Sequence, residues 1–300
     1  MPKEPEPSNI EKTFILNALK EGIRTDGRAF NDFRDISITF GEDYGMADVR
    51  LGKTRVIARC SATITTPYPD RQFDGIFQIS TELSPLASPF FESGRQNERE
   101  VLLSRLIEKS LRRSQAIDTE SLCIIAGQKC WSVRVDVNFL DFDGGLVDAA
   151  CIATVAALQH FRRPDLTVRG ELVTVHSLRE RVPVPLSILH TPFCVTFAFY
   201  EGGEVILVDP DLMEEQLMEG SMTVTINKFG ELCQISKAGG EPIEAVKLLM
   251  CARIALEKTK SINEVISKAL AENAEYRRRR DNLLAEASAA NPRDMKPDVI

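Results

Sequence analysis

Apolar and polar positions along this chain recur with two different periods, and the switches between them divide it into elements. Ile10, Phe14, Ile15 and Ala18 fall at helical spacing behind Ser8, which can cap a helix together with Glu11; that helix is expected to end near Gly22. A charged turn, Arg24 to Arg28, is built on Asp26-Gly27 and leads into Ile36 to Phe40, where apolar and polar residues alternate as in a strand. The turn Gly41 to Gly45 closes a hairpin onto Met46 to Leu51, and Gly52-Lys53 opens a further β-rich run, Thr54 to Thr65, so this quarter predicts a twisted antiparallel sheet. From Glu98 to Ser114 the period becomes 3.6, with Leu102, Leu103, Leu106, Ile107 and Leu111 in one apolar stripe. Strands over 121–127 and 130–140, the turn Asp143-Gly144-Gly145 and an alanine-rich helix from Val147 to His160 complete a unit of helices packed on a sheet.

The Pro-rich stretch from Arg181 to Leu189 marks a boundary, after which strands over 193–200, 204–208, 222–227 and 231–236 precede Gly239-Gly240 and a helix from Ile243 onward. The order repeats that of the first block and suggests a duplicated sheet-plus-helix unit, although no residue-level repeat is visible. The last forty residues read as a solvated helix, whose run Arg277 to Arg280 is surrounded by Glu272, Glu275 and Glu286.

The chain has 300 residues, 43% of them hydrophobic, enough to bury an ordinary core. Its apolar runs, such as Cys123 to Ala126 and Val205 to Val208, are strand-sized and far short of a membrane span. The polar, acidic start is unlike a secretory signal, so an intracellular protein is expected. Seven cysteines occur without a CxxC pair and beside only three histidines, which makes zinc improbable and a set of reduced core thiols the simplest reading. His160, His176 and His190 read as structural, and Trp131 as core. A net charge of -7 means that any contact with nucleic acid must come from a local basic patch or from a basic surface completed by other chains. On the helix over 98–114, Arg105, Lys109, Arg112 and Arg113 fall at i, i+4, i+7 and i+8 and form such a stripe, with a solvated face as the plain alternative.

Arg24-x-Asp26-Gly27-Arg28, the helix SRLIEKSLRRS at 104–114 and the segment DFDGGLVDAA at 141–150 resemble, in order and spacing, the RNase PH family. The stretches FESGRQ at 91–96, AIDTESLCIIAGQKCW at 116–131, HFRRPDLTV at 160–168 and VPVPLSILHTPFCVTFAFY at 182–200 are similar to its non-catalytic branch, the exosome ring subunits. The resemblance implies an α+β RNase PH fold: two sheet-plus-helix subdomains, ribosomal protein S5 domain 2-like, with N-terminal and C-terminal helices. The divisions expected are 1–189, 190–262 and a helical tail 263–300. It further implies heterodimers with other RNase PH-type subunits in a hexameric ring, RNA-binding cap proteins, a separate hydrolytic exoribonuclease, no cofactor, and residence in nucleus, nucleolus and cytoplasm.

In active members, the resemblance implies, a Thr-Arg or Ser-Arg pair after the Asp-Gly-Gly turn cradles phosphate; here Leu146-Val147 stand there, and neither side chain donates a hydrogen bond, which leaves an anion only the backbone amides and the helix dipole. Asp209 and Asp211 retain acidity where active members carry catalytic aspartates, and a surface acidic turn is the favoured reading of them. The resemblance also turns the stripe Arg105, Lys109, Arg112 and Arg113, with Arg95 before it, toward single-stranded RNA in a central channel. An active phosphate-dependent exoribonuclease and a pure scaffold without RNA contact remain the alternatives.

Overall fold

The computed structural model describes residues 6–91, 97–170, 172–177, 180–240 and 242–289. Helix α1 (Asn9–Lys20) begins at the expected capping box, in which the Ser8 hydroxyl accepts from the Glu11 amide and the Glu11 carboxylate accepts from the Ser8 amide. Its apolar face is split: Ile15 and Leu19 are buried, whereas Ile10 and Phe14 are 82% and 67% exposed. The reason is that α1 packs through one narrow line onto Ala198, Tyr200 and Leu207 of the second subdomain.

The first sheet contains β1 (Ile36–Phe40), β2 (Met46–Leu51), β3 (Thr54–Thr65), β4 (Ile76–Leu83), β5 (Cys123–Ile125) and β6 (Lys129–Asp141). Its order is β1-β2-β3-β6-β4, with β5 paired to β6. All pairs are antiparallel except β4 with β6. Helix α2 (Glu98–Glu108) carries the chain back between those two parallel strands, as a parallel pair requires. Residues Lys109–Arg113 then form a π-helical turn. That turn interrupts the helix expected over 98–114 and alters the angular spacing of its last four residues.

Helix α3 (Leu146–His160) is buried on nearly every side, because Ala149, Ala150, Ala153, Ala156 and Ala157 let backbones approach closely. It lies between the first sheet and the strand that opens the second. The intervening segment holds β7 (Arg162–Arg163), the hairpin β8 (Leu166–Arg169) and β9 (Leu172–Val175), and β10 (Val184–Pro185), which pairs with β7. The Pro-rich stretch is tied down where the Leu189 amide donates to the Ala116 carbonyl.

The second sheet has the order β12-β11-β13-β14, from β11 (Pro192–Tyr200), β12 (Val205–Val208), β13 (Gly220–Asn227) and β14 (Leu232–Ala238), all antiparallel. Strand β11 is buried on both faces: Phe193 and Cys194 join the first core, and Val195 and Phe197 the second. The short helix α4 (Leu212–Leu217) follows β12.

Helix α5 (Ala245–Ala289) runs without interruption through residue 262. Its Cys251 and Ala255 complete the second core, and Ile262 and Ile266 enter the first. Further on, Arg277 donates to the carbonyls of Gly41 and Glu42, both at 2.8 Å, and stacks 4.2 Å above the Tyr44 ring. The first of the four tail arginines is therefore a structural clasp. Beside it, His160 accepts from the Gly45 amide, and burial together with Arg277 lowers its pKa to about 4. His176 contacts the Thr167 hydroxyl and His190 the Ser114 carbonyl, so all three histidines are structural, and Trp131 is buried.

Arg277→Ala should remove about 1 kcal/mol of local stability. Amides over 263–289 should then exchange faster by mass spectrometry, with those of β11 and β13 unchanged.

Candidate functional site

The Arg24–Arg34 segment folds against the far subdomain and is held there by charge. Arg24 is 1% exposed; its Nε donates to Glu214 Oε1 (3.0 Å), its Nη1 to the Val208 carbonyl (2.9 Å) and its Nη2 to the Asp209 carbonyl (3.0 Å). Arg34 grips Asp209 with both sides of its fork, Nε to Oδ2 at 2.9 Å and Nη2 to Oδ1 at 2.7 Å, and its own amide also donates to Oδ2. Arg28 adds a contact to Oδ2 at 3.2 Å. Asp209 has no exposed surface and a φ of +50°, so it is not part of a surface acidic turn. Its burial follows from the two guanidinium groups that offset its charge. Asp211 caps α4, accepting from the Glu214 amide at 2.8 Å while Glu214 accepts from the Asp211 amide.

The same cluster positions the Asp-Gly-Gly turn. Arg34 Nη1 donates to the Asp143 carbonyl at 2.6 Å, and the Thr54 hydroxyl donates to the Gly144 carbonyl while accepting from the Asp143 amide. At Gly145, with φ +67°, a Cβ would come within 2.3 Å of the Arg34 guanidinium, so the turn must be glycine where it passes the arginine. The chain then enters α3 with no side chain capping it.

What meets this helix end is the carboxylate of Glu215, which accepts from the Gly145 amide at 2.8 Å. Burial pushes the Glu215 pKa up to about 7 against the opposing pull of that amide, Arg34 and Arg99. One turn into α3, Asp148 is fully buried and accepts from the amide and hydroxyl of Thr196 in β11; burial and nearby Asp209 raise it well above the usual carboxylate range. Leu146 and Val147 face a cleft of about 300 Å³ whose walls include Leu102, Leu106, Leu212 and Met218. The expected phosphate position thus opens onto a cleft whose walls are apolar at Leu146 and Val147 and polar at Arg99, Thr196, Glu215 and Thr223.

Of the cations of α2, Arg99 lines this cleft, whereas those expected to meet RNA lie elsewhere. Arg105 and Arg112 both pair with Glu108, at 3.1 and 2.7 Å, and line a separate groove of about 480 Å³ with Arg134 and strand β4. Lys109 and Arg113 are exposed, and Arg95 lies outside the described residues. Lys109, Arg112 and Arg113 all lie in the π turn, which departs from the regular α-helical phase, so the four cations do not follow the single α-helical stripe expected. Glu214, Glu215 and Arg34 were not among the sequence-derived site residues, although Asp211-x-x-Glu214 carries a capping-box signature that points to α4.

The sequence profile of the 3' exoribonuclease family, domain 1, matches residues 32–164, and that of domain 2 matches residues 190–258. The chain belongs to the RNase PH family. Its RNase PH fold superposes on a chain of the Archaeoglobus fulgidus exosome, solved with RNA bound to the active site, with a TM-score of 0.75 and 30% identity over 85% of this chain and 97% of that one. It is 55% identical over 293 residues to the exosome complex component rrp45 of Schizosaccharomyces pombe, covering 98% of this chain and 100% of that protein. The exosome complex component RRP45 of Saccharomyces cerevisiae is 48% identical over 302 residues, covering 96% and 99%.

Within this RNase PH chain, the two aspartates carry different mechanical weight. Asp209→Ala leaves the buried Arg34 guanidinium without its carboxylate and should cost about 3 to 5 kcal/mol in denaturant unfolding. Asp211→Ala, which removes a helix cap, should cost about 1 kcal/mol.

Glu215 supplies a pH signature. Its folded pKa of about 7 lies above the ordinary 4.5, so the ionised form is disfavoured in the folded state and stability falls as pH rises between those values. Glu215→Gln removes that titration. The difference in thermal midpoint, variant minus parent, should therefore increase from pH 4.5 to pH 7.5.

Proposed function

We propose that this chain is a ring subunit of an RNA exosome, where it guides single-stranded RNA and performs no phosphorolysis of its own. The ring assignment rests on near full-length identity to two proteins named as exosome complex components and on the likeness to an archaeal exosome chain. Its partners are other RNase PH-type subunits beside it in a hexameric ring, RNA-binding cap proteins, and a separate hydrolytic exoribonuclease that supplies cleavage.

The observation that carries the non-catalytic reading is the end of α3, where the side chains of Leu146 and Val147 offer no donor and the Gly145 amide is already bonded to Glu215. Each preorganised donor on a developing charge contributes about 2.7 to 4 kcal/mol, so a site without the hydroxyl and guanidinium loses several orders of magnitude in rate. The aspartates that would favour an active enzyme are engaged otherwise: Asp209 in the arginine cluster and Asp211 in the α4 cap. RNA guidance falls to Arg105 at the end of α2 and to Lys109, Arg112 and Arg113 of the π turn, all exposed, with Arg95 before them in the sequence. The groove that Arg105 and Arg112 line with Arg134 favours RNA contact over a pure scaffold.

Two assays test the proposal, one in the assembled ring and one on the purified chain. Arg105→Glu with Lys109→Glu should shorten the RNA segment protected from added nuclease and reduce the salt slope of binding by about 0.7 per lost phosphate contact, with assembly intact; unchanged protection removes these residues from the RNA path. The purified chain given single-stranded RNA, inorganic phosphate and magnesium should release no nucleoside diphosphate. Phosphate-dependent release would restore it to the active enzymes.

A further inference from the structure

The seven cysteines divide by access. Cys60, Cys130, Cys151, Cys194 and Cys251 are buried, whereas Cys123 and Cys233 reach solvent in part. Cys151 of α3 and Cys194 of β11 adjoin each other, but neither has any exposed surface, so the pair is out of reach of a dissolved reagent. A different pair joins one half-exposed thiol to one covered thiol: Cys123 of β5 stands directly opposite Cys130 of β6 on neighbouring antiparallel strands.

Residues paired in this way project from the same face of the sheet, with Cα atoms about 4.5 to 5.5 Å apart. A disulfide needs Cα atoms roughly 4.4 to 6.8 Å apart, so the backbone already holds the spacing. The register slips only beyond Cys123, toward Ile125, and the turn that follows is anchored where the Gly127 amide donates to the Gln72 carbonyl at 3.0 Å. The two thiols also sense each other, since burial first and then Cys123 raise the Cys130 pKa, while the Ile76 amide opposes the rise.

We propose that Cys123 and Cys130 form a redox modification site, a dithiol that a small-molecule disulfide such as oxidised glutathione converts to a cross-strand disulfide. Cys123 meets the reagent. It lines a surface recess of about 200 Å³ with Arg163, whose cation favours the thiolate, and Asp165, the opposing charge on that wall, is paired with Arg181 at 2.8 Å. The Cys123 thiolate attacks one sulfur of glutathione disulfide, whose S–S bond breaks, and one glutathione leaves as a thiolate that takes up a proton. The Cys130 thiolate then attacks Cys123 Sγ in the mixed disulfide, and the second glutathione leaves in the same way. Two electrons pass from the protein thiols to the reagent, which ends as two reduced glutathione molecules carrying the two protons that Cys123 and Cys130 released. The inference goes beyond RNA guidance and uses none of its residues.

The test treats the full-length native chain with oxidised glutathione, quenches it with acid, and labels the remaining thiols with N-ethylmaleimide in denaturant. The treated chain should carry two labels fewer than the untreated one, its unlabelled mass should fall by two hydrogens, and dithiothreitol should restore all seven labels. Lys129 lies between the two cysteines, so trypsin leaves them on separate peptides that only a disulfide holds together. Cys130→Ser should stop at the mixed disulfide and gain one glutathione at Cys123, and Cys123→Ser should keep Cys130 as a free thiol. The peptide map of the parent needs neither variant and carries the test if one does not fold. Glutathione retained at Cys123 of the parent while Cys130 stays free overturns the inference, as does an unchanged label count or a disulfide that joins any other two cysteines.

Discussion

Asp209 carries a carboxylate into a place with no exposure to water, and the cleft is organised around offsetting that charge. A buried ion is tolerated only when its partners are close and correctly directed. Arg34 supplies two parallel donors and a backbone amide, and Arg28 a third side-chain contact, all from the segment that precedes the first sheet. Because Arg34 also holds the Asp143 carbonyl, its orientation fixes the Asp-Gly-Gly turn, and through that turn the starting point of α3. Since α3 packs against both sheets, an ion pair between distant parts of the sequence sets the register of the central layer.

Helix α2 shows how one element serves two environments. Leu102 and Leu106 wall the cleft, while Arg105 and Arg112 line the groove beside β4 and share Glu108 between them. Surface pairs of this kind contribute little to stability. Their effect is to hold two long side chains at the groove, where a polyanion could displace the shared carboxylate.

Most of the fold was legible from periodicity, because strands with one solvated face and helices with an apolar stripe write their environment into the sequence. The capping box at Ser8, the hairpin over 36–51 and helix α3 all fell where the pattern placed them. Strand β4 was passed over although Phe77, Ile79, Thr81 and Leu83 alternate, and α4 was read as an acidic turn despite its capping signature. The pair Leu146-Val147 could be located by its position after the glycines. The roles of Arg24, Arg34, Asp209 and Glu215 could not, since each depends on a partner more than sixty residues away whose proximity exists only after folding.

At 45 residues, α5 is about 67 Å long at the ordinary rise of a helix, and it touches the second core, then the first, then the hairpin carrying Tyr44. A long helix fastened at three stations acts as a splint. Twisting one sheet relative to the other would shear Ile262 and Ile266 out of their packing before any hinge could open, so the molecule answers an applied load as one solid body rather than as two hinged lobes.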